Sequence, residues 1–114
     1  MTVDKGLLAG STAMLVLRLL EQEDMYGYQM IETLRRESEN VFELKAGTLY
    51  PLLHSLERKG LLESYEQEAG GARIRKYYRI TQKGIGFYRE KHREWKKYSS
   101  AVNRVMGGAH CEAT

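Results

Sequence analysis

The chain has 114 residues, 42% hydrophobic and 29% charged, which describes one globular domain with a modest core and little surplus. Its formal net charge of +3 and pI of about 9.0 do not by themselves single out a polyanionic partner, so the placement of charge has to be read instead. The apolar run Leu7–Leu20 is too short for a bilayer and is broken by Ser11, Thr12 and Arg18, so neither a membrane anchor nor a signal peptide is expected.

Helix one is expected from about Leu7 to Glu21. Its apolar residues, Leu7, Leu8, Ala13 to Leu17, Leu19 and Leu20, cover more than one stripe. A helix apolar on most sides is buried on most sides, and a domain this small can hardly cover it alone, so a second subunit is expected. Helix two is expected over Tyr26–Glu37 with Asp24 capping its start. Gly27, Met30, Ile31 and Leu34 share its inner face, and Gly27 would admit a close neighbour.

Helix three is expected over Ala46–Lys59, ended by Gly60. Leu49, Leu52, Leu53 and Leu56 form its apolar face, while Gly47, Thr48, Tyr50, Pro51, His54 and Arg58 lie outward. Pro51 implies a kink or a tightened first turn. Leu62–Glu68 and Arg73–Ile80 read as strands joined around Ala69-Gly70-Gly71-Ala72. Thr81 then starts a long helix to about Met106, closed by Gly107-Gly108. Along it Ile85, Tyr88, His92, Trp95, Ser99, Val102 and Met106 recur at steps of three and four, a seam at coiled-coil spacing.

The resulting order is helix, helix, helix, hairpin, long helix. It divides into a winged helix-turn-helix over residues 1–81, a dimerisation helix over 82–108 and a flexible tail over 109–114. The class is mainly α with a β-hairpin. The tail holds His110 and the single cysteine, Cys111. Two adjacent residues make poor tetrahedral geometry, and one cysteine makes no internal disulfide, so no metal or other cofactor is expected. The cysteine usage suits a reducing, cytoplasmic setting.

The chemistry concentrates in helix three and the hairpin. Arg73, Arg75, Lys76 and Arg79 carry four positive charges with no acid between Arg73 and Ile80. Strict alternation sends Arg73, Arg75, Tyr77 and Arg79 to one face and Ile74, Lys76, Tyr78 and Ile80 to the other, with Ile74, Tyr78 and Ile80 suited to the core. Such a strand can be merely a charged, aggregation-resistant edge, and Glu63, Glu66 and Glu68 on the partner strand can offset it. Helix three shifts the balance. Gly47, Thr48, Tyr50 and His54 make a small, hydrogen-bonding face that can approach base edges and phosphates.

Enzymatic readings fare poorly: His54 and Ser55 have no evident acidic partner, and no nucleophile elbow or oxyanion loop is recognisable. Trp95, the only tryptophan, is either an interface anchor or a platform for a flat aromatic ligand at a dimer axis. Arg18, on the otherwise apolar first helix, either pairs with an acid or points into the same cavity. A winged-helix protein-interaction module without DNA binding is the rival class. It calls for an uncharged wing and an apolar outer face on helix three, and this chain has neither.

At these residues the chain resembles the PadR family of transcriptional regulators, in its short subgroup with a single C-terminal helix. The resemblance is carried by Tyr26-Gly27-Tyr28, GTLYPLL at Gly47–Leu53, LERKGLL at Leu56–Leu62 and GGARIRKYYRIT at Gly70–Thr81, and spans about Leu7 to Val105. It implies a homodimeric winged-helix repressor of double-stranded DNA with a pseudo-palindromic operator. By position, Lys45, Thr48 and Tyr50 match the family's recognition-helix start, and Arg73, Arg75 and Lys76 match its wing. His54 joins them from the outward face of helix three. The first and last helices would form the dimer, placing Met14, Tyr88, Trp95 and Val102 at the interface. Short members carry a tryptophan at the dimer centre, and Trp95 falls at a similar place.

Overall fold

The computed structural model describes residues 10–107 as four helices and a small sheet. Helix α1 spans Thr12–Gln22, strand β1 Met25–Tyr26, α2 Gly27–Glu37, α3 Ala46–Arg58, β2 Leu62–Glu68, β3 Ile74–Ile80 and α4 Gln82–Met106. The sheet is antiparallel in the order β1-β3-β2. The fold is a winged helix with a long C-terminal helix.

Periodicity decides what is buried. Thr12, Val16, Leu19 and Leu20 fall on one face of α1, and Leu17 is sealed beside them. Met30 and Leu34 of α2, Leu49, Leu53 and Leu56 of α3, and Leu62 and Tyr78 of the sheet close the same core. Leu49 and Leu53 are fully buried, each stabilising the fold by about 1.5–3 kcal/mol through area removed from water. They fix which side of α3 faces out.

Four details depart from the sequence reading. Gly10 and Ser11 form a turn, so α1 begins at Thr12; Leu7 and Leu8 lie outside the described residues, as do His110 and Cys111. Met25 and Tyr26 form a short third strand, pairing with Tyr78 and Tyr77 of β3, so α2 starts one residue later than expected. Asp24 makes no cap, since the residue flanking α2 is Tyr26 and carries no side-chain cap bond; Asp24 instead accepts a 2.7 Å hydrogen bond from the Tyr65 hydroxyl. Ile74 is 62% exposed, because the hairpin outruns the core before it reaches that residue. Alternation sets the side of a strand, not whether anything lies beneath it.

The element junctions follow from local chemistry. Pro51 does not break α3; its first turn carries both an i→i−3 bond, Thr48 N–H to Lys45 C=O at 3.0 Å, and an i→i−4 bond from Leu49 at 2.9 Å. Gly70 and Gly71 take positive φ in a short hairpin turn closed by the 2.9 Å bond from the Ala69 N–H to the Arg73 carbonyl. Thr81 caps α4, its hydroxyl accepting from the Gly84 N–H at 3.0 Å. Gly107 ends α4 in the left-handed conformation.

α4 is clamped at its base to the end of α3. The Thr81 hydroxyl donates to the Gly60 carbonyl at 2.7 Å, and Lys83 Nζ donates to the Lys59 carbonyl at 2.9 Å. The Lys83 ammonium thereby meets the partial negative charge at the C-terminus of α3. Gly84 lies so close to Leu61 and Ile80 that a Cβ there would be 2.7 Å from the Ile80 side chain. The end of α3, the wing and the long helix therefore meet at one close-packed joint.

Candidate nucleic-acid interface

Two elements present the charged and polar groups. From α3 and the residue before it, Lys45, Gly47, Thr48, Pro51, His54 and Arg58 are exposed, and Tyr50 is 38% exposed. Lys45 flanks the first turn without a side-chain cap, and no acid occupies that turn. The residues that open α3, Lys45 to Thr48, are therefore exposed and uncapped at its positive dipole end, an arrangement suited to a phosphate. From the wing, Arg73 stands exposed at the turn, Lys76 is exposed and Arg75 is half-buried.

A cleft of about 350 Å³ separates α3 from the wing, lined by Tyr26, Gly27, Tyr50, His54, Ile74, Arg75, Lys76 and Tyr78. No carboxylate lines it. Of the expected contact residues it unites Tyr50, His54, Arg75 and Lys76. Lys45 and Thr48 sit at the helix start, and Arg73 at the wing tip, outside the cleft. Gly27 admits the Tyr50 ring: a Cβ at Gly27 would be 2.6 Å from Tyr50 Cζ. Tyr50 thus lies along the cleft wall.

The acids of β2 do not cancel the wing uniformly. Arg79 lies 3.7 Å from Glu63 and 3.9 Å from Asp24. Among the described residues, Arg73, Arg75 and Lys76 have no such partner within 4.0 Å, although Glu66 stands opposite Lys76 in register.

The outer face of the sheet carries an aromatic row that sequence reasoning missed. Tyr26, Tyr77 and Tyr65 come from β1, β3 and β2 and stand in register. Tyr65 stacks on Tyr77 with centroids 5.7 Å apart and planes at 16°, and Tyr26 meets Tyr77 edge-on at 5.4 Å. Arg75 lies over Tyr26 at 4.3 Å and Arg79 over Tyr65 at 5.1 Å. The bond to Asp24 raises the Tyr65 hydroxyl pKa above its ordinary value, with desolvation and the Asp24 charge adding to it. The outward parity of Tyr77 was visible in the sequence; its neighbour from a two-residue strand was not.

The second candidate surface is the far half of α4. Tyr88 is buried against the body of its own chain, stacked at 5.7 Å on His92, and Met14 is half-buried on α1. Beyond them Trp95, Tyr98, Val102, Val105 and Met106 are exposed, Val105 to 86%. A cleft of about 820 Å³ between α1 and α4 is lined by Met14, Leu15, Phe42, Tyr88 and Trp95, with Arg18, Glu21, Arg89 and His92 among its polar groups. Arg18 both lines this cleft and pairs with Glu21 at 3.3 Å, and Glu21 also meets Arg89 at 3.4 Å. No helix among the described residues is long and apolar enough to cross a membrane.

Comparison with known proteins agrees with this geometry. Residues 16–90 match the profile of the transcriptional regulator PadR-like family. A transcriptional regulator from Mycobacterium tuberculosis, Rv3488, is 32% identical over 82% of this chain and 80% of its own length. Among solved structures, a transcriptional regulator from Clostridium thermocellum superposes with a TM-score of 0.82 at 32% identity, covering 88% of this chain and 97% of that one. A PadR family transcriptional regulator from Eggerthella lenta gives 0.78 at 36% identity, over 89% and 86%.

Proposed function

Because the chain belongs to the PadR-like family of transcriptional regulators, we propose that this DNA-binding regulator is a homodimeric repressor, released by a planar aromatic molecule bound between α1 and α4. Each protomer would lay the outer face of α3 in the major groove and hold the flanking backbone with Lys45, Arg73, Arg75 and Lys76. Thr48, Tyr50 and His54 are the side chains of α3 best situated for base edges and sugar-phosphate oxygens. The operator would be pseudo-palindromic, with half-sites about 34–36 Å apart.

The observation that carries this reading is the cleft between α3 and the wing, which gathers Tyr50, His54, Arg75 and Lys76 and is lined by no acid. Duplex DNA is the polyanion that fits a polar helix and a basic hairpin side by side. Support for a dimer comes from α4, whose 25 residues run about 37 Å and leave Trp95, Val102 and Met106 uncovered. A second copy covers such a seam with the same residues from the other side.

Support for an aromatic effector is the cleft beside Trp95, whose volume and mixed apolar and polar lining suit a small organic molecule. Such a molecule would derepress by favouring a dimer whose two α3 helices no longer match both half-sites, since only a difference in affinity between states moves the equilibrium. The test is a mobility shift on the DNA upstream of the protein's own gene at moderate salt, beside sedimentation of the free protein. A retarded band that resists random competitor, from a dimeric protein, is the expected result. A monomer, or equal competition by random DNA, overturns it.

A further inference from the structure

The wing carries two arginines four residues apart on one face of β3, Arg75 and Arg79, and their surroundings differ. Arg79 is held between Asp24 and Glu63, at 3.9 and 3.7 Å. Asp24 is itself fixed by the 2.7 Å bond from the Tyr65 hydroxyl. Arg75 has Gln67, not an acid, opposite it in register, and no carboxylate within 4.0 Å among the described residues. Its guanidinium instead lies 4.3 Å over the ring of Tyr26. An aromatic face orients a cation while leaving its N–H donors free, whereas a carboxylate would occupy them.

From this we infer that Tyr26 is a positioning residue: it holds Arg75, unneutralised, at the rim of the cleft between α3 and the wing, ready for a DNA phosphodiester. The inference rests on the DNA-binding reading above and assigns a role to a residue outside the recognition helix and the wing. The tyrosine row supplies the rigidity. Tyr26 is braced edge-on by Tyr77, which stacks on Tyr65, so the platform under Arg75 spans all three strands. Tyr26 and Arg75 both line the cleft with His54 and Lys76. A phosphate arriving there meets a guanidinium whose rotamer freedom is already reduced, and less entropy is lost on binding. Arg79, with acids on two sides, has its charge already engaged.

The test is a double-mutant cycle on the full chain, with an operator fragment as the DNA. Tyr26→Leu should weaken binding about fivefold, the scale of the ordering cost of one long side chain that Tyr26 no longer holds in place beforehand. Tyr26→Phe, which keeps the ring, should bind like the wild type. In an Arg75→Gln background, Tyr26→Leu should change affinity little, because the side chain it positions is gone. A readout without DNA is the NMR shift of the Arg75 side-chain protons, displaced by the Tyr26 ring in the wild type and in Tyr26→Phe, and relaxed in Tyr26→Leu. An equal loss from Tyr26→Leu with and without Arg75, or an unchanged Arg75 shift, overturns the positioning role. A wild-type protein that binds no DNA overturns the functional reading itself, and the NMR comparison still judges the contact.

Discussion

The phenol ring of Tyr50 lies across Gly27, with Cζ 2.6 Å from where a Cβ would stand. This contact joins the start of α2 to the outward face of α3, and it is a matter of room, not of backbone conformation, since Gly27 is not among the residues with positive φ. Because the atoms in the way are the exposed tip of the Tyr50 side chain, Gly27→Ala should swing that ring aside and cost the protein at most about 1 kcal/mol, partly offset by alanine's better helix propensity. Adding Tyr50→Ala should recover most of the loss. Melting midpoints of the three variants check this, and an additive loss in the double variant would contradict it.

Changing Arg73, Arg75 and Lys76 to Gln should weaken binding to operator and to random DNA alike. The slope of log Kobs against log salt should become shallower by about 0.9 for each phosphate no longer neutralised. Titrations at several salt concentrations measure it, and an unchanged slope removes the wing from the DNA-binding surface.

Trp95 is 47% exposed at the mouth of the cleft between α1 and α4. Trp95→Ala should abolish binding of planar aromatic compounds in calorimetry. Calorimetry is needed because the substitution removes the protein's only tryptophan and its fluorescence with it. Retained affinity would make Trp95 a packing residue.

Val102 lies beyond the body of the protomer and is 39% exposed. Val102→Glu puts a charge on the seam of α4 at no cost to the core of a single chain. It should shift the sedimentation equilibrium toward monomer and weaken operator binding more than the affinity of one protomer for a half-site. A fully dimeric variant would place the interface elsewhere.

The Tyr78 hydroxyl has a pKa raised above its ordinary value of 10.0, first by burial and then by the nearby charges of Glu57 and Tyr50. The folded state therefore holds this proton more tightly than the unfolded chain. The associated stability is fully present below about pH 10 and is lost as pH rises toward the folded-state pKa. Melts from neutral pH to above about pH 10 should fall more steeply for the wild type than for Tyr78→Phe; parallel curves would remove Tyr78 as a contributor.

Much of this fold was legible in the sequence, because its elements carry strong local signals. The leucines of α3 repeat at helical spacing, Gly60 and Gly107 end their helices with positive φ, and Gly70-Gly71 turns the hairpin. What stayed hidden depends on long-range pairing. A strand of two residues, Met25–Tyr26, shows no period at all, so the tyrosine row across β1, β3 and β2 could not be seen. Asp24 looked like a helix cap because aspartate favours that position, but its partner lies 41 residues away on β2. For the candidate site, the sequence offered the positions but not their division of labour, in which Arg79 is engaged by acids and Arg75 is not.

The joint made by Thr81, Lys83 and Gly84 against Gly60, Lys59 and Leu61 leaves little slack between α3 and the root of α4. A rod held along its first turns, by this joint and by Tyr88 and Arg89 against α1, acts as a tiller: a slight swing of its free end turns the whole head of the molecule. In the proposed dimer, a molecule that wedges apart or draws together two such tillers near Trp95 would reset the distance between the heads, with no change needed inside either one.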